Sequence, residues 1–171
     1  MRTSILLVSV FLLSSISPIL QVSNAKTPVD DKYDIIMMGN SYTDANQLSS
    51  NVDRMFDEFT YGAEIQALTG GGMRLDQHAD NSEEEGHRWY NTLRDTEGLD
   101  YVILQDQSQV PSFPEANFNW QASKDGAVRI DRIVQQQDAE IIFFMTWGRK
   151  DGDDQNEWRN PDFLTMQSNL K

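Results

Sequence analysis

The chain has 171 residues, with 27 acidic side chains against 14 Lys and Arg, for a formal net charge of −13. Such a field repels phosphate backbones and argues against a nucleic-acid partner. Cysteine is absent, which excludes a disulfide framework and thiolate metal sites and leaves stability to a packed core.

The first element is a targeting segment. Arg2 gives it a positive start, 5–13 (ILLVSVFLL) is an apolar run, and Ser23 and Ala25 put small residues at the −3 and −1 places of a cleavage site. This is the pattern of a signal peptide over 1–25. The apolar run is too short to span about 30 Å of hydrocarbon, and no later segment is long and apolar enough to do so. Cleavage after Ala25 leaves 171 − 25 = 146 residues. That is one domain, 26–171, in a secreted or periplasmic location.

Four apolar stretches follow that read as strands: 33–38 (YDIIMM), 63–68 (AEIQAL), 101–105 (YVILQ) and 140–146 (EIIFFMT). The first, third and fourth are nearly continuous in apolar residues, as in strands buried on both faces. Helical patterns lie between them. Ala45, Leu48, Val52, Met55, Phe56 and Phe59 form one stripe, with Asp44 as its N-cap. Further helices are expected over 84–94 and 125–137, the second turning Ala127, Ile130, Ile133 and Val134 inward. Asn160-Pro161 reads as a cap followed by a first-turn proline. Strands alternating with helices predict an α/β fold with a parallel sheet, right-handed crossovers and helices on both faces. Ligands bind at the carboxyl ends of such strands, so the loops after the strands are where chemistry is expected.

After the first strand, Gly39 permits a tight turn and Ser41 puts a hydroxyl at the sheet edge, before a helix whose dipole favours a developing oxyanion. Taken alone, Ser41 reads rather as a loop serine beside a helix cap than as a nucleophile. After the second strand, Gly70, Gly71 and Gly72 expose backbone N–H donors; no Lys-Ser/Thr follows, so this is not a P-loop. After the third, Gln105 and Gln107 offer side-chain amides to an oxyanion, or Asp106 and Ser108 simply make a turn. After the fourth, Trp147 offers an apolar pocket wall and Arg149 or Lys150 a partner for an anionic group; the segment reads equally as a surface loop with an amphipathic Trp. Residues 151–157 (DGDDQNE) have oxygen ligands suited to Ca²⁺, but the EF-hand pattern needs glycine at its sixth place, where Asn156 stands. No metal or cofactor is expected.

Together the four loops resemble the SGNH (GDSL-like) serine hydrolase superfamily, and most closely a bacterial branch with a GNS block. GNSYT (39–43) stands at the first block, TGGGMRL (69–75) at the second and DYVILQDQS (100–108) at the third, while TWGRKDG (146–152) is also similar to that branch. The resemblance implies a flavodoxin-like three-layer α/β/α sandwich and hydrolysis of an ester, of an acylated carbohydrate or a lipid. It implies Ser41 as nucleophile, the Gly72 N–H as an oxyanion donor and the Gln107 amide as another, with Gln105 as the alternative. Asn40, His78, Trp147 and Arg149 fall on the substrate side; for His78 a structural role is the alternative.

The chain departs from the family in three places. Asn40 stands where an Asp is more common, and a Gln stands where the third block usually has Asn. The family's base, a His in an Asp-x-x-His block after a fifth strand, is not among these residues. His87 follows Glu83, Glu84 and Glu85 and reads as an exposed residue at a helix start. The expectation is four strands with a fifth missing, a truncated sequence, and no hydrolytic activity in the chain as given, since a serine without its base is a poor nucleophile. The competing reading is a catalytically silent carbohydrate-binding or interaction module on the same fold.

Overall fold

The computed structural model describes residues 32–59 and 62–170; the signal-peptide segment lies outside them. The apolar runs IIMM and VIL form the middle of a sheet. They belong to β1 (Lys32–Gly39) and β3 (Leu99–Leu104), which pair with each other. β2 (Gly62–Thr69) lies outside β1, and β4 (Glu140–Phe143) lies outside β3. The order is β2-β1-β3-β4, and every pair is parallel.

Among the described residues six α-helices accompany these strands, α1 (Ser41–Asp44), α2 (Leu48–Glu58), α3 (Leu75–Glu83), α4 (Arg88–Asp95) and α5 (Phe118–Val134) between them and α6 (Phe163–Asn169) after β4. The chain steps from β1 to β2, then crosses back past β1 to β3. Right-handed crossovers in opposite directions put α2 on one face and α3, α4 and α5 on the other. Accordingly, α3 packs on both α4 and α5, and α2 packs on β2. This is the flavodoxin-like α/β sandwich.

The core lies under α3, α4 and α5. Ile36, Met38, Val102 and Leu104 from the sheet pack with Ala79, Leu93, Ile130 and Val134 from the helices. Alternate strand residues point to the other face, where Tyr33 meets Phe56 of α2 with ring centres 5.5 Å apart. Among the described residues no helix is long and apolar enough to cross a membrane.

Several boundaries differ from the sequence reading, each for a local reason. The helix expected after Asp44 is broken. Asn46 and Gln47 have φ of 56° and 55°, which no continuous helix tolerates, so α1 is a single turn and α2 starts at Leu48. β4 ends at Phe143, although the Phe144 N–H still reaches the Leu104 carbonyl at 2.8 Å. His87 stands at a helix start as expected, but half-buried; its ring nitrogen accepts the Trp89 N–H and caps α4. α5 begins at Phe118 behind an Asn117 cap. α6 is capped by Asp162, which accepts the Thr165 N–H at 2.8 Å. Asn160 is instead fully buried and donates to the Ser112 hydroxyl.

Candidate active site

The strand order reverses between β1 and β3, and a crevice forms at the carboxyl ends of strands that part in this way. The two segments that meet there are 39–43 after β1 and 105–108 after β3. Their joint is polar and buried. Gln105 is 1% exposed; its carbonyl oxygen accepts the Asn40 N–H at 3.0 Å and the Thr43 hydroxyl at 2.9 Å. Its amide donates to the Asp106 carbonyl. Gln105 is therefore spent on holding the loop after β1.

Asn40 is the second tie. It is 2% exposed, accepts the Tyr42 N–H, and donates to the carbonyls of Met73 and Asp106. One side chain thus joins the loops after β1, β2 and β3 and leaves none of its polar atoms for a substrate. Between these anchors Ser41 is exposed as the first residue of α1. With only one turn behind it, the dipole expected at Ser41 is small.

His78 lies beneath the loop, fully buried. Its Nε2 is 3.0 Å from the Gly39 carbonyl, and its Nδ1 accepts the Trp89 indole N–H at 2.8 Å. A carbonyl on one side and an N–H on the other fit only the neutral ring protonated at Nε2. Burial, above all, holds this histidine down to about 4. The Gly39 carbonyl also accepts the Gly70 N–H, so the last peptide before Asn40 is held from two sides. Of the two roles open to His78, the geometry supports the structural one, since both ring nitrogens are committed inside the protein.

Asp106 was passed over in the sequence as turn chemistry. Its Oδ1 accepts the Leu75 N–H at the start of α3, the Gln107 N–H, and the Ser123 hydroxyl of α5. Burial, as the largest cause, raises its carboxyl to about 6, against those three donors. The folded chain therefore binds this proton more tightly than the unfolded chain. Asp106 contributes stability below the unfolded value of 3.8 that is lost as pH rises through about 6, a change of about 3 kcal/mol. His78 acts oppositely. Its stabilising neutrality is fully present above 6.5 and lost as pH falls toward about 4. The two slopes nearly cancel. Asp106→Asn keeps the accepting oxygen and removes one slope. The variant is expected to lose about 3 kcal/mol more than the parent between pH 6.5 and pH 4, read by urea unfolding at both pH values. Equal losses in the two proteins would refute the assignment.

Two clefts open beyond the strand ends, one at the serine loop and one among the segments after β2, β3 and β4. The first, about 400 Å³, is lined by Ser41, Tyr42, Leu48, Phe144 and Trp147 among others. Trp147 is half exposed, its ring centre 5.1 Å from that of Tyr42, so it forms an apolar wall beside the hydroxyl. The second, about 320 Å³, is lined by Gly72, Arg74, Gln107, Gln109, Phe113, Asn119, Gln155 and Asn156, with Val110. Gly72 has φ +67° and open space around it, a conformation that suits glycine and leaves its backbone approachable. Of the two glutamines, Gln107 is the one that lines a cleft, with Gly72 and apart from the cleft of Ser41; its Oε1 accepts the Gln109 N–H and one of its amide N–H groups donates to Gln109 Oε1, both at 2.7 Å, which leaves the second N–H as its one remaining donor. Arg149 lines neither; its guanidinium donates to Asp153 at 3.1 Å and to the Ser108 hydroxyl at 3.2 Å. The Asp153 carboxylate, 0% exposed, also takes amides from Gln109 and Asn156. Its oxygens are thus engaged by protein donors inside the acidic 151–157 segment.

No protein-family model matches the chain, and no curated protein matches it. Solved structures do. A protein described as "a putative SGNH hydrolase from Slackia heliotrinireducens" is similar with a TM-score of 0.64 at 20% identity, over 81% of this chain and 70% of that one. A DUF4886 family protein from Bacteroides uniformis is similar with a TM-score of 0.63 at 14% identity, over 81% of this chain. The chain spans 60% of the length of that second structure. At these identities the likeness is one of fold, the flavodoxin-like α/β sandwich described above.

Proposed function

We propose that Ser41 is the nucleophile of a serine ester hydrolase, on the fold the chain shares with the SGNH-hydrolase neighbour. One observation carries this reading. Ser41 is exposed at the reversal of strand order, beside an apolar-walled cleft, on a loop held from below by Asn40, Gln105 and His78. Such bracing is what a nucleophile needs if its hydroxyl is to meet a carbonyl in one fixed geometry.

Ser41 Oγ would attack the ester carbonyl. The Gly72 N–H and the Gln107 amide would face the oxyanion of the tetrahedral intermediate; such donors are typically worth about 3–4 kcal/mol each. Neither described histidine supplies the base, since His78 is committed on both nitrogens and His87 caps α4. The base implied by the resemblance is absent from these residues, so the chain alone is expected to be slow. The N-terminal 25 residues support export to a secreted or periplasmic location.

A fluorophosphonate probe tests the reading. Labelling is expected to be slow, to accelerate when imidazole is added as an external base, and to vanish in Ser41→Ala under both conditions. No labelling of the parent chain even with imidazole would favour the alternative, a silent carbohydrate-binding or interaction module. The commitment of both His78 and His87 within the protein is the observation that favours that alternative.

A further inference from the structure

The second cleft has a composition that the chemistry at Ser41 does not require. Of its lining side chains, Gln107, Gln109, Asn119, Gln155 and Asn156 are amides. The charges around it are compensated. Arg74 forms two hydrogen bonds to Asp76, at 2.9 and 2.6 Å, and the buried Asp153 behind the wall is paired with Arg149. The amides do not collapse on one another at random. Gln109 is 8% exposed; its N–H and Oε1 are both bonded to the Gln107 side chain, and its Nε2 donates to Asp153 and Gln155. This fixes the wall and leaves particular groups for a ligand. The Asn119 side-chain amide makes no hydrogen bond among the described residues, nor do Gln155 Nε2 and Asn156 Oδ1. Phe113 adds an apolar patch.

An amide both donates and accepts, which is what a hydroxyl group requires of its partner. A wall of amides, anchored at Gln107 and Gln109, with its Arg74 charge paired to Asp76 and the Phe113 ring in its lining, suits a neutral polyhydroxylated ring. It does not suit an acyl chain, which would leave the amides unpaired at a cost, and it offers no unpaired cation to an anion. We propose that this cleft is a subsite for a neutral sugar unit. The proposal rests on the Ser41 reading for its place in a reaction. Gly72 and Gln107 belong to this cleft, and Asn40 ties their neighbours Met73 and Asp106 to the serine loop. The alcohol side of the ester is then a carbohydrate in the amide cleft, and the acyl group lies toward Tyr42 and Trp147.

Binding is tested apart from catalysis. Ser41→Ala chain is titrated, by saturation-transfer NMR and calorimetry, with the methyl β-glycosides of glucose, galactose, xylose and N-acetylglucosamine, and with sodium octanoate. At least one glycoside is expected to bind, octanoate not to displace it, and Asn119→Ala/Gln155→Ala to weaken it about tenfold or more, as loss of two hydrogen bonds implies. Unchanged circular dichroism and melting confirm that the double variant is folded; single variants replace it if it is not. Binding of none of the glycosides, binding indifferent to both substitutions, or displacement by octanoate overturns the proposal. If the sugar site responds as expected while Ser41 resists the fluorophosphonate, the subsite stands and the nucleophile reading falls.

Discussion

Alanine at position 126 is expected to lower thermal stability by about 3 kcal/mol, or about 10 °C in melting temperature for a chain of this size. Gly126 is buried on α5. A Cβ there would stand 2.4 Å from the Asp76 nitrogen, 2.5 Å from the Leu75 carbonyl carbon and 2.6 Å from the Asp76 Cα. All three are backbone atoms, so no rotamer change relieves the overlap and α5 must move away from α3. Alanine's helix preference returns about 1 kcal/mol, which the overlap exceeds. The movement also has a target. Asp106 is held by Leu75 at the start of α3 and by Ser123 on α5, so parting the helices pulls on both bonds. Asp125→Ala, one residue earlier and exposed, is expected to change stability by less than about 0.5 kcal/mol. Scanning calorimetry on the two variants decides the matter; similar melting temperatures would mean that the helices separate freely.

Gly39→Ala carries the second large effect, this time on the reactivity of Ser41. Gly39 ends β1 with an ordinary φ, so space and not backbone conformation is the reason for glycine. An added Cβ would lie 2.2 Å from Thr43 Oγ1 and 2.7 Å from Gln105 Oε1. Those two atoms bond each other at 2.9 Å, and Gln105 Oε1 also holds the Asn40 N–H. The substitution therefore displaces the two residues that fix the peptide next to Ser41. A misplacement of about 1 Å typically costs about 100-fold in rate, and imidazole-assisted labelling is expected to fall by about that factor. Removing the hydroxyl in Gly39→Ala/Thr43→Ala relieves the shortest contact and should recover part of the loss. Labelling of Gly39→Ala at the parent's rate would show that the loop does not depend on this packing.

These glycine positions lie in or beside elements that differ in how legible they were. All four strands could be read, because IIMM, VIL and EIIF leave little room for another assignment when helical patterns separate them. α3 could not. Its buried face is Leu75, His78, Ala79 and Ser82, and periodicity counts only two of those four as apolar. α5 was read seven residues short because Phe118 and Trp120 sit on turns whose other residues are polar, although Asn117 carries the signature of a cap. The same blindness governs the site. The exposure of Ser41 is legible from its place after a strand, since it follows from topology. The burial of Gln105, Asn40 and His78 follows from their partners in distant segments, and no local pattern announces that a polar side chain will be enclosed. Asp106 was hidden for the same reason, its three donors lying on Leu75, Gln107 and Ser123.

The all-parallel pairing also governs how the chain acquires this fold. No two hydrogen-bonded strands here are joined by a hairpin. The central pair, β1 with β3, closes only after β2 and the helices α1 to α4 have been made between them, as in the bond from Asn40 to Gln105, 65 positions away. Loop-closure entropy is spent before such a ladder returns any energy. The loop of Ser41, held by Gln105 after β3 and by His78 of α3, is accordingly among the last parts to become rigid. A ribosome still making β3 would carry a Ser41 with nothing to hold it in place, so the reactivity proposed for that serine requires completion of the fold.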